Sequence, residues 1–235
     1  MLAIYKREMR SYFTTSSGYV FAALFLALSG ILFGLCTMKL EQTTDVSTYY
    51  QTLMFAYVIV IPMLTMKTFA EERRTKTEQL LLTAPVSLFS IVFAKFLAAF
   101  TLFVGTIAIT WIYMIPLYMY GEPNLGRIFG CMVAVTLVGM CFIAIGIFVS
   151  TLTDNQFTAV LGTIGILAAF LGISFIIGFF DTYVIREFLS FFSIYSRYSY
   201  FTYGMFDYSA AFYYISVAGV FLFLAVRVYE RRRWR

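Results

Sequence analysis

The sequence contains no histidine among its 235 residues. This absence excludes histidine-based catalytic triads, histidine metal sites and imidazole proton relays. The chain also lacks a Gly-x-x-x-x-Gly-Lys-[Ser/Thr] pattern, so it has no phosphate-binding loop of its own. Its three cysteines, Cys36, Cys131 and Cys141, lie in apolar runs without metal-ligand spacing, and we interpret them as small buried hydrophobes. We therefore expect no catalytic, metal-binding or cofactor-binding residue in this chain.

Charge is scarce, and long apolar runs dominate instead. Charged residues make up 12% of the chain and hydrophobic residues 61%, with a mean hydropathy of +0.85, which is typical of an integral membrane protein. Six stretches have the roughly 20 apolar residues that a membrane-spanning helix needs, and they are continuous rather than alternating. They cover residues 17–38, 50–69, 88–119, 127–152, 156–179 and 208–228. The predicted fold is all-α, with six transmembrane helices in a single domain over residues 1–235.

The interiors of these runs lack ionisable side chains. Carriers that are driven by protons or sodium usually hold charged groups near the membrane midplane, because those groups bind the coupling ion. Any transport by this chain would therefore draw its energy from another polypeptide.

Residues 1–15 combine basic and apolar side chains before the first run. The run is long and has no clear cleavage site, so we expect a retained span rather than a signal peptide. Residues 2–14 are predicted to form an amphipathic helix on the membrane surface. Leu2, Ile4, Met9 and Phe13 would face lipid, whereas Lys6, Arg7 and Arg10 would face headgroups. A simple extension of the first span is the alternative.

The distribution of basic residues predicts the orientation. With six spans both termini share a side, and of the 17 Lys and Arg residues only Lys39, Arg127, Arg186 and Arg197 fall on the other side. The positive-inside rule then places both termini in the cytoplasm. Arg231, Arg232 and Arg233 are most simply an anchor against anionic lipid, so the net charge of +5 does not require a nucleic-acid partner.

A polar stretch at residues 70–86 separates the second and third runs. Thr75 and Glu78 have the spacing of a capping box, and Pro85 would end the helix that follows. We predict a short helix between two spans that docks on a partner protein. Its proposed docking residues are Glu71, Glu72, Arg73, Arg74, Thr75, Glu78, Leu80, Leu81 and Leu82.

Three further features carry local predictions. The run at 88–119 is too long for one straight span, so we expect it to bend near Pro116 and its Lys95 to extend toward the membrane surface. Asp154 or Thr153 is expected to cap the fifth span. The aromatic-rich stretch 181–207 is expected to form short helices in the external headgroup layer, either re-entrant or flat.

The polar stretch, from Phe69-Ala-Glu-Glu-Arg-Arg to Thr-Ala-Pro-Val-Ser87, resembles the signature cytoplasmic loop of ABC-2-type transporter permeases. The segment Ala94-Lys-Phe-Leu97 is similar to the start of their third helix. Gly204-Met-Phe-Asp207, Tyr213-Tyr-Ile-Ser216 and the run 221–234 resemble the gliding-motility-associated branch in particular. The family often has a histidine where this chain has Ser196-Arg197-Tyr198, so no role is transferred to Arg197.

The resemblance implies a type V ABC exporter-like architecture. Two permease chains, identical or paralogous, would pair with two ATPase subunits that hold ATP and magnesium, and an accessory protein with a large external domain often accompanies them. Residues 1–15 would be the connecting helix, 70–86 the coupling helix and 181–207 the external re-entrant segment. The implied location is the prokaryotic inner membrane. A lipid-modifying membrane enzyme and a passive channel or scaffold subunit are the alternatives.

Overall fold

A computed structural model describes residues 1–41, 46–76, 86–120, 123–177, 186–187, 189–190, 193–202 and 207–233. The regular structure of this part of the chain is entirely helical, which confirms the predicted all-α fold. Its α-helices are α1 Leu2–Thr14, α2 Ser16–Phe33, α3 Ser47–Thr65, α4 Lys67–Arg74, α5 Leu88–Ile109, α6 Met114–Tyr120, α7 Leu125–Leu152, α8 Gln156–Ile176, α9 Ile194–Thr202 and α10 Tyr208–Arg233. A π-helical segment, Gly34–Glu41, continues α2.

Six helical segments are long and apolar enough to cross a membrane, as the sequence predicts. They are Ser16–Thr37, Ser47–Arg74, Leu88–Met119, Leu125–Leu152, Gln156–Ile176 and Tyr208–Arg231. Helix α7 is the centre of the bundle and packs against α3, α5, α8 and α10. Helices α1 and α4 and the last turns of α10 lie at one end of the bundle, which we call the charged end. Helix α9 lies at the opposite end, beside the beginnings of α7 and α10.

A glycine permits the close approach of α5 and α7. A Cβ atom added at Gly139 would lie 2.1 Å from two atoms of the Phe103 ring. That ring is fully buried and contacts Phe25 and Tyr57 edge to face, at centroid distances of 6.0 and 5.3 Å. The aromatic core therefore occupies the space that a larger residue at position 139 would need.

The α-helix of the third run is interrupted, and the interruption comes before Pro116, where we expected a bend. Helix α5 ends at Ile109, and a 3-10 turn, Thr110–Tyr113, separates it from α6. Pro116 lies within the first turn of α6 rather than at the bend. Because proline cannot donate to the carbonyl four residues earlier and its ring crowds that carbonyl, the helix is interrupted before Pro116.

The N-terminal segment is a separate helix rather than a simple extension of the first span. Thr15 has an extended backbone, with φ −94° and ψ 147°, and it separates α1 from α2. The chain then folds back so tightly that a Cβ atom on Gly18 would lie 2.4 Å from the carbonyl oxygen of Tyr12. Leu2 and Phe13 are exposed as expected, whereas Met9 packs against the core rather than facing lipid.

One local prediction was wrong. Helix α8 is capped by Asn155, whose Oδ1 accepts a hydrogen bond from the Phe157 amide at 3.0 Å, and not by Asp154 or Thr153. In the aromatic stretch 181–207, Tyr198 and Phe201 of α9 are fully buried, and the placement of the stretch in the headgroup layer stays a prediction. The choice between re-entrant and flat helices in that stretch stays a prediction.

Candidate functional site

Helix α4 extends the second span beyond an interruption in its helical hydrogen bonds. Pro62 lies inside α3, and Met66 interrupts the helix before α4 begins. Ser150 of α7 fills the break: its hydroxyl oxygen accepts hydrogen bonds from the amides of Phe69 and Ala70, at 3.1 and 3.2 Å, and lies 3.4 Å from the Met66 carbonyl. Since buried amides need acceptors, this serine fixes the start of α4 on the central helix.

A buried lysine joins α4 to two other helices. Lys95 of α5 is 1% exposed, and its ammonium lies 2.8 Å from Oε1 of Glu72 and 3.3 Å from Oε1 of Glu8 in α1. It also donates to the Thr68 carbonyl at 2.7 Å. A buried ammonium is stable only when its charge and its donors are satisfied. The three acceptors meet this requirement, so α1, α4 and α5 converge on one atom.

Arg7 completes this group on its solvent side. Its Nη2 lies 2.6 Å from Oε1 of Glu8 and 3.0 Å from Oε1 of Glu72. Burial lowers the pKa of Arg7, while the hydrogen bonds and negative charges of Glu8 and Glu72 raise it, and the resulting pKa is above the usual value. We call Arg7, Glu8, Glu72 and Lys95 the charged junction. Its two cations and two anions balance.

Aromatic side chains pack around the charged junction. The Lys95 ammonium lies 4.9 Å from the centroid of the Phe69 ring, and this ring contacts Tyr229 of α10 edge to face at 5.2 Å. Tyr12 is also buried here, and its burial raises the pKa of its hydroxyl. The charged junction is therefore enclosed on its inner side by rings from three helices.

The other side of α4 has a second ionic contact. Arg73 pairs with Asp154, in the turn between α7 and α8. Asp154 is exposed, so this ion pair contributes little to stability by itself. Together with Ser150, however, it attaches α4 to α7 and α8, while Glu72 attaches it to α1 and α5.

The structure divides the predicted docking residues into two groups. Glu71, Glu72, Arg73 and Arg74 belong to α4, and the Thr75 hydroxyl at its end donates to the Glu71 carbonyl at 2.9 Å. Glu78, Leu80, Leu81, Leu82 and Pro85 lie outside the described residues, so the capping box and the leucine contacts stay predictions. Glu72 and Arg73 have partners within the chain, which the sequence did not indicate.

The predicted surface anchors also differ among themselves. Lys6, Arg10 and Arg231 are exposed, in keeping with a surface role. Arg7 is half-exposed and pairs with two glutamates rather than facing headgroups alone. Arg232 and Arg233 end α10.

Sequence reasoning missed the partners of Lys95. It predicted that Lys95 extends to the membrane surface, and this was wrong because Glu8 and Glu72 supply buried counter-charges. The available signal was Glu8, an isolated acid in a basic N-terminal segment, and Lys95, an isolated base eight positions into an apolar helix. Ser150 gave no signal, since serines are ordinary in such helices.

The charged side chains of this site join helices to one another. Among the described residues, no group of three or more histidine, cysteine or acidic side chains has the geometry to hold a metal ion. The charged side chains that converge here are engaged with one another and hold helices together. Their arrangement can transmit a displacement of α4 to α1 and α5 on one side and to α7 and α8 on the other.

Comparison with known protein families gives one match over nearly the whole chain. The sequence model of a family described as "ABC-2 family transporter protein" matches residues 2–232. None of the curated proteins matches the chain.

Proposed function

This chain belongs to the ABC-2 family of transporter proteins, and from that premise we propose that it is the permease of an ATP-driven exporter. Membership makes it a multi-pass membrane permease component of an ABC transporter, a kind of protein that pairs with ATPase subunits. The proposal adds the direction of transport, the source of energy and the subunit arrangement. Two permease chains, identical or paralogous, form the path between them, and two ATPase subunits bind ATP and magnesium.

The observation that supports coupling is the double attachment of α4. This helix leads directly into residues 77–85, where the sequence predicts the docking leucines. Glu72 attaches it to α1 and α5, and Ser150 and Arg73 attach it to α7 and the following turn. A force applied at residues 77–85 would therefore act on four helices at once.

In the proposed cycle, ATP binding closes the two ATPases and moves the coupling helix at 70–86. Leu80, Leu81 and Leu82 fill a groove on the ATPase, while Arg74 and Glu78 set its orientation. Movement of α4 then tilts each bundle and opens a path between the two permeases. The cytoplasmic placement of both termini in a prokaryotic inner membrane is part of this proposal, as is an accessory protein with an external domain.

The docking step is tested by replacing Leu81 and Leu82 with Asp. Because two carboxylates in an apolar groove are strongly unfavourable, we expect the double variant to lose the ATPase on co-purification from native membranes. The bundle itself should keep its thermal stability, because these residues lie beyond the end of α4. Leu152→Asp is the matched control, since Leu152 is 48% exposed at the same end of the bundle. Retention of the ATPase by the double variant would refute the docking assignment.

A further inference from the structure

A cavity lies beside the charged junction, where α1 turns into α2. It has a volume of about 490 Å³, within the range of small-ligand sites. Ser11, Thr15 and Ser17 line one side, and Lys67 and Glu71 of α4 line the other. The charged junction forms its inner wall. The cavity is thus rich in polar groups although it adjoins the membrane-spanning part of the chain.

The polar groups of the cavity fall into two sets. Those of the charged junction are engaged with each other, as the ammonium of Lys95 illustrates. Within the described part of the chain, by contrast, neither Lys67 nor Glu71 takes part in an ion pair. They lie one helical turn apart on α4, so they present one positive and one negative group on the same face. Ser11, Thr15 and Ser17, from the turn between α1 and α2, line the same cavity.

The cavity lies at the level where the first membrane-spanning helix begins. The first membrane-spanning helix begins at Ser16, beside the cavity. Phe13 and Tyr19, 50% and 60% exposed, flank this turn and contact each other edge to face at 6.0 Å. Exposed aromatic rings are typical of the level where lipid headgroups meet hydrocarbon. A lipid headgroup can therefore reach the cavity from the side.

We propose that this cavity binds the zwitterionic headgroup of an aminophospholipid, with Lys67 and the serine and threonine hydroxyls on its phosphate and Glu71 on its primary ammonium. A headgroup with only negative charge would leave Glu71 unpaired and repelled. A quaternary ammonium has no N–H to donate to the Glu71 carboxylate, so the site selects phosphoethanolamine over phosphocholine. The binding does not depend on the proposed ATPase partner.

The test measures lipid retention by the purified, delipidated full chain. Phosphatidylethanolamine, its mono- and dimethylated forms, phosphatidylcholine and phosphatidylglycerol are added singly at equal mole fraction, and bound lipid is counted by native mass spectrometry. We expect retention to fall with each methyl group, by about tenfold over the series, which is the factor that one charge-assisted hydrogen bond of about 1.4 kcal/mol provides. Equal retention of all five lipids would overturn the proposal without any variant being needed.

Two variants assign the selectivity to residues. Glu71→Gln should abolish the preference for phosphatidylethanolamine over phosphatidylcholine, and Lys67→Gln should weaken the retention of both. Lys76→Gln and Glu230→Gln are matched controls, because both side chains reach solvent and neither lines the cavity. An unchanged lipid preference in Glu71→Gln would refute the site. If that variant also lost the ATPase while it kept the lipid preference, Glu71 would be assigned to the protein partner instead.

A soluble headgroup distinguishes the source of the ligand. Glycerophosphoethanolamine in water should not displace the lipid at comparable concentration, because it lacks the acyl chains that hold the headgroup beside Phe13 and Tyr19. Displacement at comparable concentration would overturn the lipid assignment in favour of a soluble zwitterion. Failure of the Leu81→Asp, Leu82→Asp experiment would leave these outcomes unaffected, so the two proposals are judged separately.

Discussion

Lys95 is the residue on which the charged end of the bundle depends. Its ammonium has three N–H donors, and acceptors on Glu72, Glu8 and Thr68 lie within 3.3 Å of it. Only 1% of its side chain is exposed, whereas those of Glu8 and Glu72 retain 14% and 17%. Lys95 therefore relies on these acceptors to replace the water that it lacks, whereas the two glutamates keep some contact with solvent.

Replacing Lys95 with Met should destabilise the protein by about 3 kcal/mol. This is the lower end of the cost of breaking a buried ion pair, because Glu8 and Glu72 keep Arg7 and some access to solvent. The free energy of unfolding in detergent, followed by circular dichroism, measures the effect. Lys6→Met is the control and should change it by less than about 0.5 kcal/mol.

A double-mutant cycle separates the ion pair from simple packing. Lys95→Met leaves the charged junction with one excess negative charge, and Glu72→Gln removes that charge, so the double variant should be less destabilised than the sum of the single changes. Strict additivity would show that the Lys95 side chain acts through its volume and not through its charge.

At the scale of helices, Gly139 of α7 packs directly against the Phe103 ring of α5. Gly139→Ala places a methyl group on the buried Phe103 ring and should cost about 1–3 kcal/mol through overpacking. Phe103→Leu removes the ring atoms that collide, so it should recover part of the loss in the double variant. Gly165→Ala is the control, because a Cβ atom there has no neighbour within 4 Å. Thermal unfolding in detergent compares Gly139→Ala, Phe103→Leu, the double variant and Gly165→Ala with the unsubstituted protein. Equal unfolding temperatures of the two single alanine variants would contradict the packing argument.

The elements themselves were predictable from the sequence because each is set by local composition. Continuous apolar runs determine the six spans, and alternation of basic and apolar residues over residues 2–14 determines the separate N-terminal helix. The interruption of the third run followed from its length and its proline, although it precedes Pro116.

The contacts between elements were not predictable in the same way. Lys95 finds its counter-charges on two helices that are distant in sequence, and no local pattern reports such pairing. Ser150 supplies an acceptor to amides 81 and 80 residues away. The prediction of the α8 cap was wrong for a related reason. Asp154 forms an ion pair with Arg73 on another helix, and Asn155 occupies the capping position.

At the scale of the whole molecule, the orientation in the membrane is open to direct measurement. The native cysteines are buried, with Cys36 8% exposed and Cys131 and Cys141 not exposed, so they should react little with a membrane-impermeant maleimide. In intact cells, we expect labelling of Leu125→Cys at the opposite end of the bundle. Lys6→Cys and Glu230→Cys should react only after the cells are permeabilised.

The unsubstituted protein supplies the background for this experiment, and labelling after permeabilisation shows that each introduced cysteine is accessible. Reaction of Lys6→Cys in intact cells would reverse the proposed orientation. It would also remove the coupling helix from the side on which ATP is available.

The docking of α1 has a consequence for how the protein is made. The Tyr5 hydroxyl donates to Thr101, 96 residues later in the chain, at 3.1 Å, and Arg7 meets Glu72, which is 65 residues later. Helix α1 leaves the ribosome before α4 and α5, yet its binding surface exists only after the third span has been synthesised and inserted. Helix α1 must therefore wait at the membrane surface, and its docking marks the assembly of α1, α4 and α5.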